Sequence, residues 1–569
     1  MIFISSSGNR ASTVPPCAPR LSTNHFPRAA GLIQGHLIWR LFVLAAVLSA
    51  GLTAAPSPAA AADVTPFTVS IPTVSGPIPS SPTDFPFIAD GFDVMPPVPD
   101  GYAEAEYFFS GTGNLYEYTP TGVQAVTPCP AVATMGCSAI PYTTRMLVKR
   151  PMNPHKFSGT VVIEPLNPSA GFDIAGVWDR SSNYFVRNGD VFVGWTSKSV
   201  TVNTLKTWNP ARYAALNWQY VPFAPGGNNA VYDGMTFDIA AQIGALFKAN
   251  GPGCPTHDLN VERVFEAGFS QDGSFTFTQA DVFAALERMP DGGPIYDGYV
   301  PGGTGGPSNL DFGLTPAGAL PASDPRHQMQ PHDGPVIHIN TETEVALGAA
   351  GGLPYRRPDS DAANDRYRLW EVPGASHVSN DLDVDVITLT LDFVELAGLT
   401  VATSPPLGCT HMQFISGPPV GVPGVVDPNT FPFSNVANAA FADLGEWVVS
   451  NVPPPRADRI QLTNTMPAAI ARDAFGNALG GVRTPFLDVP TATYVPIDTV
   501  AHVTQFSGFC ILYGYNVPFG QSTLATLYRN HGDYVRQVVH ETNDLVKEGF
   551  WLQPDAQTVK TSAAQADVP

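Results

Sequence analysis

Residues 265–274 read F-E-A-G-F-S-Q-D-G-S, and Ser270 within them is the residue best placed for covalent chemistry. A serine hydroxyl is a weak nucleophile until a base takes its proton and an acid orients that base. On a sharp strand-to-helix turn, its side chain is thrust out of the sheet. The N–H of the next residue, Gln271, then points at the same space and supplies half of an oxyanion hole. Glycines are needed there because strand and helix backbones nearly touch. Gly268 stands two residues before the serine, but the next glycine is Gly273, three after it, and Asp272 holds the intervening place. The common G-x-S-x-G pattern is half met, and a plain turn serine is the competing reading. Asp272 either tunes the site or caps the helix.

In an open parallel sheet the partners follow in the order serine, acid, histidine. The stretch E-V-P-G-A-S-H places His377 just after an apolar strand, where the base is expected. His327 and His332 lie in a Pro-rich loop, His338 is inside a strand, and His411, His502, His531 and His540 come later. His338 reads as a satisfied core histidine. The acid should follow the preceding strand, V-I-H-I-N, where T-E-T-E offers Glu344 as first choice and Glu342 as alternative. The second oxyanion donor is expected from E-P-L-N-P-S-A-G at 164–171, near Leu166 or Asn167. Zincin, P-loop and dinucleotide-binding patterns are missing, and no cofactor or metal is expected. The two histidines of R-H-Q-M-Q-P-H read as a chance pair.

The elements that must position these residues follow one rhythm from about residue 140. Strand-like runs occur in M-L-V-K and at 160–164, 191–195, 264–268, 296–300, 336–341 and 367–372. Helical patterns cover 233–248 and the stretch from Ser270 to about Arg288. Later ones cover 434–450 and 522–548, the last stopped by Gly549. Apolar strands spaced by helices predict an α/β fold with a mostly parallel central sheet flanked by helices. The expected division is 63–140 as a β-rich N-terminal extension, 141–400 as the core and 401–560 as a C-terminal extension packed on it. Residues 561–569 are expected to be a disordered tail.

With 569 residues, 44% apolar and only 14% charged, the chain can bury a large core. Its net charge of −20 repels phosphate backbones, which argues against nucleic-acid binding. The first 62 residues contain no acid; Arg40 precedes the apolar run L-F-V-L-A-A-V-L, and A-A-A-A-D follows. This pattern predicts a secretory leader cleaved near Ala62, with a start downstream of Met1 left open. The run is too short to span a bilayer, and no stable membrane span is expected after cleavage. In an exported chain nearby cysteines pair. Cys129–Cys137 is the first expected disulfide and Cys409–Cys510 the second, leaving one cysteine as a buried thiol.

The chain resembles the exported bacterial α/β-hydrolases known as "alpha/beta hydrolase domain-containing" proteins. The resemblance rests on Y-T-T-R-M-L-V-K-R-P at 142–151, F-S-G-T-V-V-I-E-P-L-N at 157–167 and R-Y-A-A-L at 212–216. It continues through G-F-S-Q-D-G at 268–273, T-E-T-E at 341–344, P-G-A-S-H at 373–377 and D-A-F-G-N-A-L-G-G-V-R-T-P at 473–485. It implies that an elbow with its second glycine at Gly273 is a form this family uses. It also implies that Glu344 stands where the family more often has Asp, and that the C-terminal region belongs to the same domain. The reaction expected is hydrolysis of a small-molecule or lipid-like ester through an acyl-enzyme. An exported peptidase or amidase, and a non-catalytic binding protein on the same fold, are the alternatives. The substrate and the oligomeric state are not legible.

Overall fold

The apolar β-branched runs pair into one eleven-stranded sheet in a computed structural model of the chain. The structure describes residues 65–81, 83–87, 99–119, 122–125, 139–169, 171–218, 220–221, 230–231, 233–308, 310, 320–321, 324–351, 355–379, 409–411, 429–500, 508 and 510–569. The strands are β1 (Thr73–Ser75), β2 (Tyr102–Gly113), β3 (Ile140–Pro151), β4 (Thr160–Leu166), β5 (Val191–Thr196) and β6 (Asn217–Trp218). They continue with β7 (Arg263–Phe269), β8 (Gly298–Gly302), β9 (Val336–Thr341), β10 (Ser360–Ala362) and β11 (Asp365–Val372). Their order is β10-β11-β9-β8-β7-β4-β5-β3-β2-β1, with β6 paired to β3. The strands from β5 through β4, β7, β8 and β9 to β11 run parallel. The strands beyond β5 and beyond β11 are antiparallel.

Strands buried on both faces read as continuous apolar runs, and their alternation decides which layer each side chain joins. Val161, Ile163, Val191, Val193, Val264 and Val336 face one layer, with Ile239, Ile243 and Phe247 of α3 (Thr236–Ala249). Val162, Phe192, Phe265, Ile337 and Trp370 face the other. There they meet Phe185 of α1 (Trp178–Asn188) and Val436, Ala440, Leu444 and Trp447 of α6 (Phe433–Ser450). Further helices include α2 (Ser199–Trp208), α4 (Gln271–Thr278), α5 (Glu342–Gly351), α7 (Gln521–Leu527), α8 (His531–Glu548) and α9 (Gln553–Gln565). Among the described residues no helix is long and apolar enough to cross a membrane.

The N-terminal β strands and the C-terminal extension both pack on the core sheet, as expected. β2 pairs with β3 over its whole length, from Tyr102↔Pro151 to Gly113↔Ile140, and β1 pairs with β2, so the N-terminal stretch extends one edge of the sheet. Helix α6 lies directly on the sheet: a Cβ added to Gly298 of β8 would meet Leu444 Cδ1 at 2.8 Å. Residues 561–565, expected to begin a disordered tail, are helical instead. Helix α9 runs to Gln565, and Ala563 and Val568 are buried in the same layer as α6. The single helix expected over 522–548 is broken in two. Asn530 adopts extended backbone and its side chain caps the Asp533 N–H at 2.9 Å, which starts α8 afresh. The helix expected from Ser270 to Arg288 ends at Thr278 and passes through a π turn at Gln279–Phe283.

Cys409 and Cys510 form a disulfide, as expected, and Cys254 is a buried free thiol. Cys129 and Cys137, the expected leader, and His502 lie outside the described residues.

Candidate active site

Strand β7 ends at Phe269 and helix α4 begins at Gln271, so Ser270 is the whole turn between them. Its backbone is at φ 70°, ψ −119°. A non-glycine residue held at positive φ on a strand-to-helix junction is strained, and such strain collects at functional sites. The two flanking glycines are there for clearance. A Cβ on Gly268 would sit 2.3 Å from the Asp272 carbonyl oxygen, and one on Gly273 would sit 2.0 Å from the Gly302 carbonyl oxygen. The second glycine stands at 273 because that residue, and not 272, abuts the end of β8.

Asp272 instead turns a fully buried carboxyl into the interior, where neither oxygen has a partner outside its own residue. Burial, and then the charge of Glu164, push its pKa well above the ordinary aspartate value. Lys198 is the opposing charge. Burial pushes its ammonium down to about 8 against the pull of Asp233 and Asp272. Asp272 does not cap α4 with its side chain.

His377 and Glu344 are brought together from separate strands. Glu344 sits in the first turn of α5, which follows β9, and His377 lies five residues beyond β11. Glu344 Oε1 is 2.6 Å from His377 Nδ1. Its other oxygen accepts from the Thr341 N–H at 2.8 Å and the Thr341 hydroxyl at 2.6 Å. Burial raises the Glu344 carboxyl, but His377 and the Thr341 donors outweigh it and hold the group below its ordinary value. Glu342 has a different occupation: it pairs with Arg472 at 2.8 Å and accepts the Gly374 N–H at 2.6 Å. The His377 ring lies 5.1 Å from the ring of Phe269, the residue before Ser270.

The loop after β4 is corrected in one respect. The Asn167 N–H, expected as an oxyanion donor, is committed to the Ile174 carbonyl at 2.8 Å. The N–H groups of Ser169 and Gly171 are taken as well, by Asn167 Oδ1 and the Pro168 carbonyl. The pair Asn167↔Ile174 closes the loop as a small antiparallel bridge, which engages the N–H groups of both residues. Asn167 acts through its side chain, which donates to the Phe269 carbonyl at 2.9 Å and ties the loop to the end of β7. Gln271 is the first residue of α4, where an N–H has no acceptor within its own helix.

The other histidines have other partners. His338 is buried in β9 between Tyr367 Oη and the Thr304 carbonyl, and burial lowers it to about 4. His332 is buried and likewise lowered to about 4, while His327 bonds the Pro321 carbonyl in an exposed turn. Among the described residues neither joins a metal-type cluster; the one such group, His540 with Glu541 and Asp544, lies on the exposed face of α8.

Arg180 is a site residue that sequence reading missed. Its guanidinium carbon stands 3.6 Å over the Phe269 ring, and it donates to the His377 carbonyl at 2.9 Å and the Gly176 carbonyl at 2.8 Å. The available signal was an arginine in a helix otherwise buried through Trp178, Tyr184 and Phe185.

The model of the family described as "Alpha/beta hydrolase domain" matches residues 74–561. No curated protein matches the chain. Solved structures similar to parts of it include dienelactone hydrolase from Anabaena variabilis, at 14% identity and a TM-score of 0.23, covering 45% of this chain and 89% of that one. Acetyl xylan esterase 1 from Thermoanaerobacterium is 11% identical with a TM-score of 0.26, covering 50% of this chain and 80% of that one. The carboxylesterase Cest-2923 from Lactobacillus plantarum is 11% identical with a TM-score of 0.24, covering 42% and 80%. Likeness at this level says nothing about substrate.

Proposed function

The chain belongs to the alpha/beta hydrolase domain family, and from that premise we propose that it is an exported serine esterase. Ser270 Oγ attacks the ester carbonyl carbon as His377 takes its proton. The alkoxide leaves with that proton, and water then attacks the acyl-enzyme with His377 as base. Glu344 holds the Nδ1 proton of His377 and stabilises the imidazolium. The Gln271 N–H at the start of α4 meets the oxyanion. The acyl-enzyme needs no cofactor.

The observation that carries this reading is the backbone of Ser270, at φ 70°, ψ −119° between a strand and a helix. Backbone strain of this kind collects at functional sites. The 2.6 Å contact between Glu344 and His377 adds its support, because an acid on Nδ1 leaves Nε2 as the acceptor. Export is supported by the acid-free, apolar leader sequence and by the Cys409–Cys510 disulfide, which belongs to an oxidising compartment.

The test is hydrolysis of p-nitrophenyl esters of graded acyl length, beside matched p-nitroanilides, by the mature protein and by Ser270→Ala. Ester turnover lost in Ser270→Ala is the expected result. Equal activity in the variant, or an inert wild type, contradicts the mechanism. Faster anilide than ester turnover makes the protein an amidase.

A further inference from the structure

Between Glu342 and Glu344 stands Thr343, a fully buried residue with no part in the chemistry above. Its hydroxyl accepts the His377 N–H at 3.0 Å and donates to the Pro496 carbonyl at 2.7 Å. One side chain therefore joins the first turn of the acid's helix, the backbone of the base and a strap of chain far away in sequence.

The strap holds the same loop from its other side. The Val378 N–H donates to the Leu512 carbonyl at 2.9 Å, and Val378 bridges Tyr513. A Cβ on Gly514 would sit 2.0 Å from Ser376 Oγ and 2.2 Å from the Val495 carbonyl oxygen, so the backbone there is pressed against the base loop. The two arms of the strap are fastened to each other, because the Asp498 N–H donates to the Tyr513 carbonyl at 2.7 Å. The Asp498 carboxylate receives the His411 N–H and contacts His411 Nδ1, both at 2.9 Å. Two residues before His411, Cys409 is covalently joined to Cys510. The loop carrying His377 is thus held between the acid's helix and a disulfide-stapled strap.

We infer that Thr343 is a positioning residue for His377, and that the strap at 496–500 and 510–514, closed by Cys409–Cys510, is the anchor it works from. The inference rests on reading His377 as the general base. An imidazole displaced by about 1 Å costs on the order of a hundredfold in rate, while substrate binding elsewhere is untouched. Hydrogen bonds to His377 and its neighbours fix that position; the disulfide keeps the partner strand from drifting.

The experiment compares wild type, Thr343→Val, Thr343→Ala, Thr343→Ser and the double variant Cys409→Ala/Cys510→Ala, with Thr343→Val also placed in the double-variant background. Steady-state kinetics on p-nitrophenyl acetate are read beside the low-field proton resonance of the His377–Glu344 hydrogen bond, which needs no turnover. Thr343→Val is expected to lower kcat about 10- to 100-fold, with KM within about twofold and the low-field proton shifted or lost. Thr343→Ser keeps the hydroxyl and stays within about threefold of wild type. The cysteine pair variant also loses kcat, and adding Thr343→Val to it costs less than the product of the two effects. Thr343→Ala serves if the valine variant does not fold. The inference is overturned if both Thr343 variants lacking the hydroxyl leave kcat and the proton resonance unchanged. It is also overturned if Thr343→Ser falls as far as Thr343→Val, or if the two losses multiply in full. A wild type inert on esters sinks the esterase reading instead, and the proton resonance still decides the role of Thr343.

Discussion

Replacing Glu344 by Gln separates the proposed acid from its neighbour Glu342 with almost no change of shape. One Glu344 oxygen contacts His377 Nδ1 at 2.6 Å and the other takes two donors from Thr341, at 2.8 and 2.6 Å. In Glu344→Gln the amide oxygen keeps the Thr341 pair and the amide nitrogen faces His377. That nitrogen can only donate, so Nδ1 must become the acceptor and the ring proton moves to Nε2. A protonated Nε2 cannot take the Ser270 proton, and the negative charge that stabilised the imidazolium is gone. Such a tautomer switch costs about 10³- to 10⁴-fold in kcat, or about 4–5.5 kcal/mol of barrier. Glu344→Asp retracts the carboxylate by about 1.5 Å, one carbon–carbon bond. That stretches the 2.6 Å contact to about 4 Å, beyond hydrogen-bond range. A loss of about 10- to 100-fold follows. Glu342→Gln is the control: it weakens the Arg472 pair and the Gly374 contact, which lowers stability and leaves kcat within about tenfold. The assay is kcat and kcat/KM on p-nitrophenyl acetate across pH 5–9, with thermal unfolding alongside. Glu344→Gln within tenfold of wild type, or Glu342→Gln falling as far as Glu344→Gln, refutes the assignment.

Two further outcomes follow from the elbow. Gly273→Ala places a methyl 2.0 Å from the Gly302 carbonyl, a backbone atom that cannot turn aside; a loss of about 3 kcal/mol or more is expected in urea unfolding, together with the activity. Asp272 has its folded-state pKa raised, so its ionisation opposes folding, and stability is lost as pH rises from the ordinary carboxylate range towards that raised value. Asp272→Asn removes this loss, and its stability relative to wild type should climb by up to about 1.4 kcal/mol per pH unit over that window; a pH-independent difference in unfolding free energy refutes it.

Much of this arrangement could be read from residue order. Val161, Val162 and Ile163 alternate between the two layers, and such runs declare a parallel strand whatever lies beside it. The contact between Glu344 and His377 follows from an acid and a histidine placed just beyond the ends of the adjacent strands β9 and β11. What the sequence hid depends on contacts distant along the chain. Thr343 looks like any threonine until Pro496, 153 residues away, is seen to take its hydroxyl. The Asn167 N–H was expected to be free because nothing local shows that Ile174 folds back onto it. The β character of the 102–113 stretch was legible, but its partner was not until β3 was seen to cover it end to end. The break before α8 was legible in principle, as Asn530 three residues ahead of Asp533, but an apolar periodicity running through it masked the cap.

The central claim is that Ser270 is the nucleophile, and covalent capture tests it most directly. The mature protein is treated with a fluorophosphonate, and the modified peptide is located by mass spectrometry in wild type and in Ser270→Ala. The account predicts one phosphonyl adduct, on the peptide carrying G-F-S-Q-D-G and on Ser270 within it, and none in the variant. An adduct on another serine, the same labelling in Ser270→Ala, or no adduct on a folded wild type contradicts it.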